Sequence, residues 1–165
     1  MAAEFDSTKP IVAILMGSAS DAEAVAPAKE ILIEFGIPYE IKVLSAHRTP
    51  EQTLAYVRTA KEHGFKVIIA AAGGAAHLPG IVAAMTTLPV IGIPIKSKAL
   101  NGIDSLLSIV QMPSGIPVAT VAIDGAANAA ILAVEILALA YPHLSTALDA
   151  YRKKLQDKVL KSSVQ

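Results

Sequence analysis

Three short segments hold most of the side chains in this sequence that could do chemistry. The first, Ser45-Ala46-His47-Arg48-Thr49-Pro50, sets an imidazole beside a guanidinium. A guanidinium offers a planar fork for phosphate, and an imidazole is well suited to move a proton near neutral pH. Ser45 and the helix start at Pro50 add further donors. A plainer alternative makes Arg48 a solvated charge and His47 a packed ring, but the two together at a strand end favour function. The second segment is Met16-Gly17-Ser18-Ala19-Ser20-Asp21. A glycine followed by small hydroxyl residues at a helix N-terminus makes a cradle for an anion, and Asp21 could accept from sugar hydroxyls. The plainer alternative is that Ser20 or Asp21 merely caps the helix. The segment is neither the dinucleotide fingerprint nor the Walker pattern. The third runs from Ala70 to Gly80 and includes Gly73-Gly74-Ala75-Ala76-His77. Its small residues let the backbone approach a flat ligand with its N–H groups available, and His77 is its one titratable group. A tight turn capped by the imidazole is the alternative. These residues point to a phosphate pocket with one or two histidines for proton transfer, acting on a phosphorylated metabolite with a planar part.

Other segments carry less. Lys96 to Ser105 could be a mobile lid or a plain surface loop, and Gln111-Met112-Pro113-Ser114-Gly115 could border a site. His63 and His143 read as surface residues. No His and acidic residues stand at metal-ligand spacing on one helix, so no metal is expected. No Gly-x-Ser-x-Gly elbow supports Ser/His/Asp hydrolysis.

The elements that must position these loops follow from hydrophobic patterning. Apolar runs at Ile11–Leu15, Tyr39–Leu44, Lys66–Ala71, Pro89–Pro94 and Pro117–Ile123 read as strands, most of them buried on both faces. Helices fit between them. Asp21 caps one whose apolar face is Ala24, Ala28, Ile31, Leu32 and Phe35, ending at Gly36. Thr49-Pro50-Glu51-Gln52 reads as a capping box for a helix that stops at Gly64. Leu78–Thr86 and Asp104–Gln111 are shorter helices. Gly125–Ala140 is apolar nearly all round, so something covers it on more than one side. A last helix carries Leu144, Leu148, Tyr151, Leu155 and Val159 on one stripe, which needs a partner, a neighbouring subunit being the natural one. Five β-α units in series predict an α/β fold, a doubly wound parallel five-stranded sheet with helices on both faces and an extra C-terminal helix. Ligands in such a sheet bind beyond the carboxyl ends of the strands, where the three segments fall.

The chain has 165 residues, the size of one domain, with a core over about residues 10–140 and the last helix over about 142–160. Hydrophobic residues are 53% and charged residues only 17%, which excludes disorder for the body of the chain and fits surface buried between subunits. The first nine and last five residues are expected to fray. Fourteen basic residues balance fourteen acidic ones, so no bulk attraction to nucleic acid or membrane follows. There are no cysteines, which excludes disulfides and thiolate chemistry and fits a reducing compartment. The N-terminus lacks the pattern of a signal peptide, and the nearly uncharged Val67–Met85 stretch contains Gly73, Gly74, Pro79 and Gly80, unlike a membrane span. A cytoplasmic location is expected.

Four motifs in register, Gly17-Ser18-x-Ser20-Asp21, Ser45–Pro50, Gly73–Gly80 and Asp104–Pro113, resemble the N5-carboxyaminoimidazole ribonucleotide mutases. The resemblance runs from Ile11 to Leu155. It implies a flavodoxin-like three-layer fold and a homo-octamer with active sites between subunits, the last helix reaching across to a neighbour. It implies conversion of N5-carboxyaminoimidazole ribonucleotide to 4-carboxy-5-aminoimidazole ribonucleotide in purine (IMP) biosynthesis, with no metal, ATP or organic cofactor. Gly17, Ser18, Ser20 and Asp21 would bind the ribose phosphate. Ser45, Ala46 and Arg48 would hold the phosphate, and Gly73, Gly74 and Ala75 would surround the imidazole base. His47 would be the general acid/base and His77 the second catalytic histidine. The sequence departs from the family at Ala22, often Trp, at Ala71, often Gly, and at Ile123–Asn128, about two residues shorter than usual.

A related branch carboxylates aminoimidazole ribonucleotide directly with CO2; there the Gly-Gly-Ala-Ala-His segment differs and the second histidine is absent, so His77 favours the mutase. A phosphate-accepting receiver would need an acidic cluster where Asp21 stands alone. A flavin module would want aromatic residues, and these are only 4%.

Overall fold

The computed structural model describes residues 5–162. Five parallel strands form one sheet: β1 (Val12–Met16), β2 (Tyr39–Val43), β3 (Val67–Gly73), β4 (Val90–Ile95) and β5 (Ala119–Thr120). Their order is β2-β1-β3-β4-β5, the flavodoxin-like order, in which the crossovers diverge between β1 and β3. The helices are α1 (Ala22–Glu34), α2 (Pro50–Thr59), α3 (Leu78–Met85), α4 (Ile103–Val110), α5 (Ala126–Ala138) and α6 (Pro142–Lys161).

Side-chain alternation splits the core into two layers. Val12, Ile14, Met16, Ile69, Ile91 and Ile93 face α1, α5 and α6, while Ala13, Leu15, Ile68 and Ala70 face α2, α3 and α4. The central strands are buried on both faces, as continuous apolar runs require. The edge strands depart from that expectation. β2 is half to fully exposed, and β5 keeps only two residues of the Pro117–Ile123 run. An edge strand has a partner on one side only, so less of it is held. At Gly92 an added Cβ would lie 2.5 Å from the buried Ile109 Cγ2, so glycine is what lets α4 lie on β4.

The apolar α5 is covered on more than one side, as its composition requires: α1, α6 and the sheet bury Ala129, Ala130, Ala133, Val134 and Leu137. Two other expectations need correction. The stripe of α6 is likewise half satisfied at home. Leu144 and Leu148 are buried, Tyr151 packs on Phe35 with ring centroids 5.4 Å apart, and Arg152–Glu135 and Lys154–Glu34 ion pairs tie the helix down. Only its distal part, Leu155, Val159 and Leu160, stays exposed. The N-terminal residues 5–9 are not frayed, because Phe5 sits edge-on to Tyr141 and Lys9 N–H donates to the Asp6 carbonyl. At the other end, Ser162 N–H still donates to Lys158, and residues 163–165 lie outside the described residues.

Candidate active site

The loops after β1, β2 and β3 meet at the carboxyl end of the sheet, around a cleft of about 460 Å³. Its lining includes every residue expected from the sequence: Gly17, Ser18, Ser20, Asp21, Ser45, Ala46, His47, Arg48, Gly73, Gly74, Ala75 and His77. Lys96 and Ser97, from the loop after β4, line it as well. The volume lies in the range of small-ligand sites. A larger groove of about 770 Å³ opens at the opposite end of the sheet. Among the described residues its only charged groups are Arg58 and Lys61, with no imidazole or carboxylate, so proton chemistry falls to the smaller cleft.

In the loop after β1, Ser18 rather than Asp21 does the capping. Ser18 Oγ accepts from Ser20 N–H at 3.3 Å and from Ser20 Oγ–H at 2.8 Å, starting a single 3-10 turn over Ala19–Asp21. Asp21 makes no capping bond, and its Oδ1 lies 3.3 Å from the Ser20 hydroxyl. Burial raises the Asp21 pKa, while the Ser20 hydroxyl, the Ser18 amide and the Arg48 charge oppose that rise.

The loop after β2 is closed by its own side chains. The expected capping box does not form. Thr49 Oγ1 instead accepts from Ser45 N–H at 2.9 Å and donates to the Ser45 carbonyl at 3.1 Å, so it knits the loop rather than the helix. Arg48 is not a loose surface charge. Its Nη2 donates to the Gly17 carbonyl at 2.6 Å and its Nε to Ser45 Oγ at 3.3 Å. The guanidinium therefore ties the first loop to the second, with N–H groups to spare for an anion. Ser45 is nearly buried and accepts from Arg48 twice, through Nε and the backbone N–H. Its part is to aim the guanidinium. The amides of Ala19, Ala46 and His47 have no protein acceptor among the described residues. These loops thus combine one cation with several free N–H donors, the makings of a phosphate cradle.

His47 and His77 come from different loops and meet edge to face. Nε2 of His47 lies 2.8 Å from Nδ1 of His77, with the rings 87° apart. One facing nitrogen must carry the hydrogen and the other must accept it, so the tautomers of the two rings are linked. His47 Nδ1 and His77 Nε2 have no hydrogen-bond partner among the described residues, and both exposed rings line the cleft. Such a pair can give a proton and take one back.

The loop after β3 holds fewer free amides than its composition promised. Gly74 N–H donates to Ser105 Oγ, Ala76 N–H to the Gly74 carbonyl and His77 N–H to the Ala75 carbonyl. Ser105 and Ser108 of α4 are the residues that loop-by-loop reading missed as contributors. Their hydroxyl spacing along a short helix was the available signal. The loop 96–102 is pinned rather than loose: Ser97 Oγ donates to Asp104 at 2.6 Å and accepts from the Leu100 and Gly102 amides. In the turn after β5, Asp124 sits at φ 55 and its carboxylate accepts from Lys96 N–H at 2.9 Å, anchoring the start of that loop. The Gln111–Gly115 segment is absent from the cleft lining. His63 and His143 are on the surface. Among the described residues, no three His, Asp or Glu side chains are grouped to hold a metal ion.

The strand order and the loops at the switch point define a flavodoxin-like α/β protein with a polar cleft at the sheet's carboxyl end. A family model described as AIR carboxylase matches residues 11–158. The chain is 62% identical over 159 residues to the N5-carboxyaminoimidazole ribonucleotide mutase of Pyrococcus horikoshii, covering 96% of this chain and 90% of that one. It is 58% identical over 159 residues to the Bacillus subtilis protein of the same name, covering 95% and 98%. A crystal structure of Treponema denticola PurE superposes with a TM-score of 0.82 at 32% identity, covering 93% of this chain and 96% of that one. The chain belongs to the AIR carboxylase family.

Proposed function

We propose that this protein is an N5-carboxyaminoimidazole ribonucleotide mutase, an isomerase of purine biosynthesis. It moves a carboxyl group from the exocyclic nitrogen of the aminoimidazole ring to the ring carbon C4. The observation that carries this reading is the His47–His77 pair, 2.8 Å apart and facing the small-residue loop Gly73–Ala75, with Arg48 in the same cleft. The names of the relatives at 55–62% identity agree with it.

The chemistry follows from the donors at hand. Arg48 and the free amides of the first two loops hold the phosphate, Asp21 the ribose hydroxyls, and the Gly73–Ala75 backbone flanks the planar ring. An imidazole, assigned as His47, protonates the exocyclic nitrogen as the carbamate C–N bond breaks and CO2 forms. The electron-rich ring carbon attacks that CO2, and the same imidazole removes the ring proton. One group gives and regains a single proton, so no net acid or base is consumed. Retention of CO2 requires a closed, dry pocket, which small side chains permit.

Direct carboxylation of aminoimidazole ribonucleotide is the second reading, because the family's description names a carboxylase. Supplying each substrate separately to the purified protein decides between them. The expected result is product from the carbamate with bicarbonate omitted. Product only from aminoimidazole ribonucleotide plus CO2 would reverse the assignment.

The protein acts in the cytoplasm; among the described residues no helix is long and apolar enough to cross a membrane. It acts as a homo-oligomer, an octamer by resemblance. Ile103, Leu107 and Val110 of α4, with Leu100 in the turn before it, form an outer apolar stripe, each 47–59% exposed. A continuous apolar stripe of this kind marks an interaction surface. Light scattering should return the mass of eight 17.1 kDa chains, and Leu107→Glu should lower it. A monomeric wild-type protein would refute the assembly.

A further inference from the structure

The Asp104–Pro113 motif is part of the family resemblance, yet none of its side chains has a place in the chemistry above. Ser105 stands out within it, because this polar residue has 0% of its surface exposed. A hydroxyl so placed is costly unless both of its hydrogen-bonding capacities are used. Ser105 Oγ–H donates to the Ile95 carbonyl at 2.6 Å, and the same oxygen accepts from Gly74 N–H at 2.8 Å. Ser108, one turn further on, shares its single hydroxyl hydrogen between the Asp104 carbonyl at 2.7 Å and, more weakly, the Gly74 carbonyl at 3.3 Å. Helix α4 therefore grips Gly74 by its N–H and by its C=O. Gly74 itself sits at φ 65, a conformation that glycine adopts without strain and that turns the chain out of β3.

This grip decides which amide of the turn stays free. Gly74, Ala76 and His77 all donate their N–H within the protein. Ala75 N–H has no acceptor among the described residues, and Ala75 lines the cleft with both histidines.

We propose that Ser105, assisted by Ser108, is a positioning residue for carboxyl transfer. It holds the Gly74–Ala75 turn so that the Ala75 N–H and the small side chains close over the carboxyl group between its two attachments. The inference rests on the mutase reading. In that reaction the N–C bond breaks as the nitrogen takes a proton from the imidazole, leaving neutral CO2 and aminoimidazole ribonucleotide. The C4–C bond then forms, and the C4 proton returns to the imidazole. CO2 carries no charge to hold it between these steps, so a slack turn lets it escape.

The readout is the partition of consumed carbamate between 4-carboxy product and free aminoimidazole ribonucleotide, corrected for spontaneous decay. It is a ratio, so a smaller folded fraction does not move it. Ser105→Ala should raise the leaked fraction about tenfold, the effect of one hydrogen bond on two competing barriers. Ser108→Ala should raise it less, and Ser105→Cys, a weaker hydrogen-bonding group of similar size, should fall between wild type and Ser105→Ala. A folded Ser105→Ala protein with wild-type partition overturns the proposal. Should Ser105→Ala not fold, Ser108→Ala decides: a raised leak supports the clamp and an unchanged one overturns it. A wild-type protein that makes no product from the carbamate refutes the mutase reading, and this inference falls with it.

Discussion

Replacing His47 with asparagine is expected to lower kcat by about a thousandfold, within the range assigned to a positioned general acid/base. The nucleotide's KM should change little, because the phosphate donors sit on Arg48 and on backbone amides. The fold should survive. His47 is exposed, and among the described residues its only side-chain hydrogen bond is to His77. Exposed positions of that kind cost little stability when changed. Asparagine is too short to reach His77 Nδ1, so the substitution also releases the second ring from its partner. His77→Asn breaks the same bond from the other side and leaves His47 in place. Its turnover therefore measures how far catalysis needs the pair rather than the single imidazole. Steady-state assays beside circular dichroism and thermal melting provide the check. A folded His47→Asn protein with near-normal turnover would remove His47 from the mechanism.

Arg48→Ala should act on binding instead. A phosphate held by a guanidinium fork gains charge-assisted hydrogen bonds, and their loss is expected to raise KM about a hundredfold. Two intramolecular ties go with it, to the Gly17 carbonyl and to Ser45 Oγ, so the loops after β1 and β2 lose their cross-link. Arg48→Lys separates the two effects. It keeps the charge and loses the fork, and should fall between wild type and alanine. Substrate binding should also weaken with added salt in the wild type and less so in Arg48→Ala, since screening acts on the charge that the variant lacks. Titration of the product nucleotide into each protein measures this directly. An unchanged affinity in Arg48→Ala would place the phosphate elsewhere.

Much of this site is legible along the chain because its chemistry is local. Gly17–Asp21, Ser45–Arg48 and Gly73–His77 each lie at or just past the end of a strand, and all three contribute to the same cleft. The strands themselves announce their burial, since a parallel sheet covered on both faces must be apolar without alternation. That rule weakens at the edges, where β2 is half exposed and β5 shrinks to Ala119–Thr120. Capping chemistry was read less well. Ser18 and Thr49 bond within their loops, where the pattern of residue types pointed to Asp21 and a capping box. Short hydroxyl side chains have several backbone partners within reach, and local sequence does not rank them. The stripe on α6 is legible as apolar and as needing a partner, but which surface covers each part is not: α5 and α1 of the same chain take its first half.

The sequence by itself determined the period of each element, the chemistry at each strand end and the family motifs. Those depend on neighbours along the chain. Tertiary structure alone decided the bonds that make the cleft one site: Arg48 to Gly17, His47 to His77 and Ser105 to Gly74. Their partners lie 31, 30 and 31 residues apart, about one β-α unit. Hydrophobic periodicity specifies that each crossover returns to the sheet, but not which atoms its loop presents to the next. That is set by strand register and by helix packing on the sheet, and both exist only once the chain has folded.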